Sequence, residues 1–300
     1  MTLNDERKPR KRILFLYGLY ALAVVLFLLY SRFPSEAVRD YVEAGFRNRV
    51  AAVDVKIGAV EPALPPGLVL NDFRVIQRDM PKMVLFSASD VKVSPETGKI
   101  LRGIPAAKIL CRTYGGEVSG RVSLSERRLK GDVTLDLELR GIKLEENLVL
   151  QQVLGRRIHG MLEGIVSFNG QPGNAHAGEG QIRFVAKDGS VQVDEAFLGL
   201  DILEFSRVLL SGDLMNGKFN LVNGDIEGPD YRGSITGTVF LEPDFPGSRL
   251  DLQGWIEIFP SFFTRKDASS SLKFLRQRLK RGKLNFSVEG TISGPVVKFI

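Results

Sequence analysis

GDVTLDLELRG, residues 131–141, sets Val133, Leu135, Leu137 and Leu139 on one side of an extended chain. Asp132, Thr134, Asp136, Glu138 and Arg140 fall on the other. A period of two belongs to a strand in an antiparallel sheet with one apolar and one wet face. RLDLQGWIEIF (249–259) repeats the pattern with Leu250, Leu252, Ile256 and Ile258, and LNFSVEGTISG (284–294) with Leu284, Phe286, Val288 and Ile292. NDFRVIQR, MVLFSASDVKVS, GQIRFVAKDGSVQV, GKFNLVNGDIEG and GSITGTVFLE behave alike. The expectation is a mainly β chain: an elongated, curved antiparallel sheet over 51–300, with two or three short helices.

Asn216-Gly217 and Asn223-Gly224 are tight-turn dipeptides. EPALPPG (61–67), NGQPGNAHAG (169–178) and EPDFPG (242–247) read as loops. Helices are predicted at 34–50, where Val38, Tyr41, Val42 and Phe46 share a face, and near 145–157 and 269–282.

One glycine phrase recurs: GEVSG (116–120), GMLEG (160–164), GDIEG (224–228), GSITG (233–237) and GTISG (290–294). Its strand-period setting excludes helix dimerisation, and no basic residue or following helix makes it a phosphate loop. The spacing is too irregular for a solenoid. Its two glycines share a face with the central aliphatic residue, so they leave space there and mark bulges, bends or strand ends.

The net charge of +6 is concentrated in two places. Arg7, Lys8, Arg10, Lys11 and Arg12 against Asp5 and Glu6 make the first segment +3, and KFLRQRLKRGK (273–283) holds six basic residues and no acid. Two short clusters do not form a groove, so nucleic acid is not the expected partner. Cys111 is the single cysteine and excludes an internal disulfide. His159 and His176 share no metal-ligand spacing, and neither a nucleophile elbow nor a Walker loop is present. No catalytic residue, cofactor or metal is expected, and the chain reads as a binding protein.

ILFLYGLYALAVVLFLLY, residues 13–30, carries no charge. As a helix it would rise about 27 Å, close to the hydrocarbon thickness of a bilayer. The preceding basic cluster would keep residues 1–12 in the cytoplasm, and YSRFPSE offers no small-x-small cleavage site. The expected organisation is a cytoplasmic tail (1–12), a single-pass membrane anchor (13–30), a linker helix (31–50) and a β unit outside the cytoplasm (51–300).

Two surfaces are candidates for function. Lys273, Arg276, Arg278, Lys280, Arg281 and Lys283, with Trp255 on the polar side of its strand, form a candidate membrane or partner contact. Leu135, Leu137, Leu139, Leu250, Leu252, Ile256, Leu284, Phe286 and Val288 form a candidate apolar groove.

The anchor, LPPGLVLNDFRV, RTYGGEVSG, LGRRIHGMLEG and GKLNFSVEGTISGPVVKFI, in this order, resemble the type II secretion system protein N family. The resemblance implies a non-enzymatic inner-membrane accessory subunit with a periplasmic β domain, whose partners are other subunits of the apparatus. More distantly, the glycine-punctuated strands are similar to AsmA-type proteins, which implies a phospholipid-binding or transfer module. A closed apolar face would favour the scaffold and an open one would favour lipid.

Overall fold

The computed structural model describes residues 8–49, 53–63, 66–78, 84–124, 132–148, 150–151, 155–171, 174–197, 200–242, 247–260 and 283–300. Helix α1 (Lys8–Ser31) is followed by α2 (Ser35–Arg49). The sheet begins with β1 (Val53–Lys56), β2 (Ala59–Ala63), β3 (Gly67–Gln77) and β4 (Val84–Pro95). After a four-residue helix α3 (Thr97–Ile100) come β5 (Ala106–Thr113), β6 (Gly116–Leu124) and β7 (Val133–Lys143). Next are β8 (Ile158–Gln171), β9 (Asn174–Phe197), β10 (Leu200–Met215) and β11 (Lys218–Glu227). The series closes with β12 (Tyr231–Phe240), β13 (Arg249–Ile258), β14 (Lys283–Thr291) and β15 (Pro295–Phe299).

All 15 strands form one open antiparallel sheet. From β3 onward each strand pairs with the next in sequence, while β1 and β2 share the far side of β3. At about 4.8 Å between strands the path from β1 to β15 spans roughly 60 Å. Two-residue turns tighten the meander. Asn216 (φ 53°) and Gly217 (φ 72°) join β10 to β11 as expected, and Tyr114 (φ 48°) and Gly115 (φ 69°) join β5 to β6. Consecutive positive φ values match the right-handed twist of a hairpin.

Several sequence expectations are corrected. Asn223-Gly224 is no turn: it lies inside β11, where the pairing register shifts between Leu221 and Gly224. The ladder to β10 and β12 holds it extended. Within NGQPGNAHAG, residues 169–171 belong to β8 and 174–178 to β9, so His176 is on a strand. Glu61 and Pro62 belong to β2, where Pro62 faces Leu68 from the sheet edge and need not donate a ladder bond. Near 145–157 the described structure is a 3-10 turn at Leu144–Glu146 and helical residues 148, 150 and 151. The helix at 269–282 lies outside the described residues.

α2 has the expected bounds but turns only part of the expected face inward. Val38 and Val42, with Phe33, pack on a core of Val55, Ile57, Val60, Leu70, Ala88, Val91 and Cys111. Tyr41 is 80% exposed, because it sits a quarter-turn from the line through Val38 and Val42. A second cluster seats Leu144 and Leu150 on Leu162, Ala186, Phe205 and Val208. Among the described residues these are the places where another element covers the apolar side of the sheet.

The glycine phrases sit where the ladder is irregular or crowded. Register shifts occur at Gly160 (φ 135°), between His159 and Met161, and around Gly141 (φ 63°), between Leu139 and Ile142. Elsewhere the glycine makes room for a large neighbour: a Cβ on Gly254 would lie 2.7 Å from Phe286 Cζ and 2.6 Å from the Ser234 carbonyl.

Gly254→Ala is therefore expected to destabilise the sheet by about 1–3 kcal/mol, read as a lower urea midpoint by circular dichroism. Gly254→Ala with Phe286→Leu should recover part of that loss, and equal losses for the single and double variants would show that the ring is not what the glycine accommodates.

Candidate functional site: an apolar sheet face

The register places the predicted groove residues together on one face. One row crosses the sheet through Leu68, Val93, Ile109, Gly120, Leu137, Val166 and Ile182. It continues through Gly212, Leu221, Gly237, Leu252, Val288 and Val297 without a polar residue. The adjacent row runs through Leu139, Gly164, Phe184, Leu210, Gly224, Ile235, Gly254 and Phe286. Leu135 and Leu250 belong to a third row, and Ile256 and Leu284 face each other in a fourth.

β7 and β13 stand about 29 Å apart across β8–β12, so their leucines share a surface without touching. The residues between them, among them Val166, Ile182, Phe184, Leu210 and Leu221, were not singled out in sequence. Their signal was the same alternation in the intervening strands.

This face is neither buried nor bare. Leu284 (5%) and Leu252 (9%) are buried, whereas Leu135, Leu137, Leu139, Leu250, Ile256, Phe286 and Val288 are only half-buried. Protein sheets ordinarily bury an apolar face under a second layer. Beyond α2 and the segment at 144–151, no second layer lies over these rows among the described residues. The rows therefore keep part of their apolar surface accessible.

At one border the face deepens into a pocket of about 690 Å³ lined by Val93, Pro95, Ile100, Pro105, Ala107, Val122 and Leu124. Ile100 and Pro105 stand at its margin, and its size is that of a small-molecule site.

The opposite face is solvated and charged. Ion pairs cross between neighbouring strands: Arg112 to Asp90 (2.7 Å), Lys187 to Glu163 (2.7 Å), Arg232 to Glu257 (2.8 Å) and Lys298 to Glu289 (2.6 Å). Exposed pairs of this kind contribute at most about 1 kcal/mol each. Trp255 lies on this side between Ser234 and Asn285, half-buried, with Lys283 Nζ 4.2 Å from its ring centroid. Lys283 thus has an aromatic partner inside the chain. Lys273, Arg276, Arg278, Lys280 and Arg281 lie outside the described residues.

Among the described residues no group of three His, Cys, Asp or Glu side chains comes together as a metal site. His159 is exposed beside Ser190. Cys111 is buried within the apolar face, and its pKa rises from 9.0 to about 11, first by burial and then through the Asp90 charge. Tyr231, whose hydroxyl donates to the Glu204 carbonyl at 3.0 Å, is pushed to about 12, first by burial and then by the Glu204 charge.

Among the described side chains no helix is long and apolar enough to cross a membrane. Within α1 the side chains at 8–12, 22, 23, 26 and 29 are not among those described. Of those that are, Leu14, Phe15, Leu16, Tyr17, Tyr20 and Phe27 are each more than 60% exposed.

Compared with protein-family models, characterised proteins and solved structures, the chain has no significant match to any of them.

The cysteine gives a direct check. At pH 8 its thiolate fraction in the native state should be about 100-fold below that of the unfolded chain, so iodoacetamide should label Cys111 slowly until denaturant is added. Rapid labelling of native protein would place the thiol outside the core. Cys111 and Tyr231 both hold protons more tightly folded than unfolded, so stability should fall as pH rises from about 9 to 12.

Proposed function

We propose that this protein is a membrane-anchored module that shelters the acyl chains of phospholipid along its apolar sheet face. The observation behind this reading is the uninterrupted row from Leu68 to Val297, half-buried over most of its length and without a second protein layer among the described residues. An acyl chain supplies the missing contact without demanding hydrogen bonds, and it can lie along a row that crosses many strands. The pocket beside Val93 and Val122 would take a chain end. Catalysis is not part of the proposal.

α1 would be the anchor, because residues 13–30 carry no charge and its described apolar side chains are exposed. With the basic tail in the cytoplasm, the sheet would stand in the periplasm at the inner membrane. Only Arg32, Phe33 and Pro34 separate α1 from α2, and α2 lies against β1 and β2. The sheet would then start at the membrane and add strand upon strand away from that contact.

A second reading, an accessory subunit of a type II secretion apparatus, draws support from the exposed edge at β15. Such an edge is what a scaffold offers to other subunits.

Native mass spectrometry of the full chain, extracted gently from its own membranes, separates the two readings. Co-purified phospholipid is expected, and it should fall several-fold in Leu137→Glu while Ser119→Glu, from the polar face, keeps it. Lipid that is absent, or that is unchanged in Leu137→Glu, would defeat the groove. Secretion subunits at fixed stoichiometry with no lipid would establish the scaffold instead.

A further inference from the structure

The two edges of the sheet are finished differently. At the β1 and β2 edge, α2 lies alongside and Glu43 Oε1 accepts the Ile57 N–H at 2.8 Å. The Arg78 guanidinium donates to the carbonyls of Val53 (3.2 Å) and Arg47 (3.1 Å). The chain itself thus lies against part of that edge. At the other edge all five residues of β15 are exposed, and no strand among the described residues lies beyond it.

The ladder shows what this edge presents. Ile300 N–H donates to the Asn285 carbonyl at 3.0 Å, and Phe299 faces Phe286 in the same register. Hydrogen-bonded and non-hydrogen-bonded pairs alternate in an antiparallel ladder. Lys298 and Val296 therefore turn their backbone groups toward β14, whereas Val297 and Phe299 turn N–H and C=O outward. Pro295 adds a carbonyl but no N–H. The side chains of Val297 (51% exposed) and Phe299 (47%) extend the apolar rows to the rim, and Lys298 lies on the polar side, 2.6 Å from Glu289.

We propose that the β15 edge accepts an extended strand of another protein, paired antiparallel. Its apolar residues would face Val297 and Phe299, and an acidic residue between them would face Lys298. Outward backbone donors and acceptors at strand spacing select a strand as the occupant, and Lys298 selects its charge. The three donors of the ammonium group can serve a second carboxylate beside Glu289.

A second copy of this chain fits the same edge badly. Pairing Val297 with Phe299 of the copy sets Lys298 against its own counterpart at the close, non-hydrogen-bonded position. Pairing Val297 with itself sets Pro295 opposite Phe299 and leaves a carbonyl unpaired at each end. The inference stands on the edge alone and holds whether or not the face carries lipid.

The test is fluorescence anisotropy with labelled peptides TVEVEVT and TVKVKVT, titrated with the full chain in detergent micelles. The acidic peptide should bind at least about fivefold more tightly than the basic one. Val297→Pro removes an outward N–H but no bond to β14, so it should weaken acidic-peptide binding by about tenfold or more while the thermal midpoint holds. Should that variant unfold, Glu289→Lys with Lys298→Glu keeps the hairpin ion pair and must reverse the peptide preference. Binding of neither peptide, or a preference that the double swap leaves unchanged, would overturn the proposal. So would undiminished binding by folded Val297→Pro, or a dimer of the native chain that this variant dissolves, which would assign the edge to a second copy.

Discussion

The antiparallel ladder between sequence neighbours is the interaction on which everything else here depends. Every strand after β3 pairs with the one before it, so backbone donors and acceptors are satisfied locally and no crossover is needed. Where the connection is a two-residue turn, as at 114–115 and 216–217, the loop-closure cost is small. The packing between elements is almost wholly that of ladder neighbours, with α2 on β1 and β2 and the 144–146 turn on β8 as additions. Such an architecture is quasi-one-dimensional: it grows by adding strands, and nothing in its hydrogen bonding limits its length.

That manner of growth creates the apolar face. Because side chains alternate strictly, a register maintained from strand to strand stacks Leu137 on Val166 and Val166 on Ile182, and the rows form without any contact between distant strands. The glycines belong to the same device. A large side chain on one strand often meets a glycine on the next, as Phe286 meets Gly254, so bulky residues lean over the gap and cover part of the face. The covering is partial, which leaves the rows half-buried. Bulges at Gly141 and Gly160 bring strand irregularity to the same places where the second cluster of Leu144 and Phe205 is seated.

A one-layer sheet has two faces and two edges to manage, and this chain treats each differently. One face is wet and laced with cross-strand ion pairs. The other is apolar and open. One edge is partly met by α2, Glu43 and Arg78, while among the described residues the other carries Pro295 and Lys298 as its defence against indiscriminate pairing. The long apolar row begins in β3, next to β1 and β2, and runs out at β15.

Strand content, the shared face of Leu135, Leu137 and Leu139, the Asn216-Gly217 turn and the bounds of α2 were all legible in the sequence, because period-two alternation, a turn needing positive φ and a capped 3.6-residue stripe are local properties. The same local signals misled where neighbours overrode them. Asn223-Gly224 is a turn dipeptide that pairing with β10 and β12 draws into a strand, and NGQPGNAHAG loses most of its loop to the long β8 and β9 hairpin. Tyr41 looked apolar enough to share the buried stripe, yet the core takes only Val38 and Val42. What the sequence determined by itself was which residues point the same way. Only the tertiary structure decided that these faces join into one surface across β3–β15, and that among the described residues no second layer closes most of it and no strand lies beyond β15. Coverage and edge pairing are set by which strands become neighbours, and no window along a single strand contains that information.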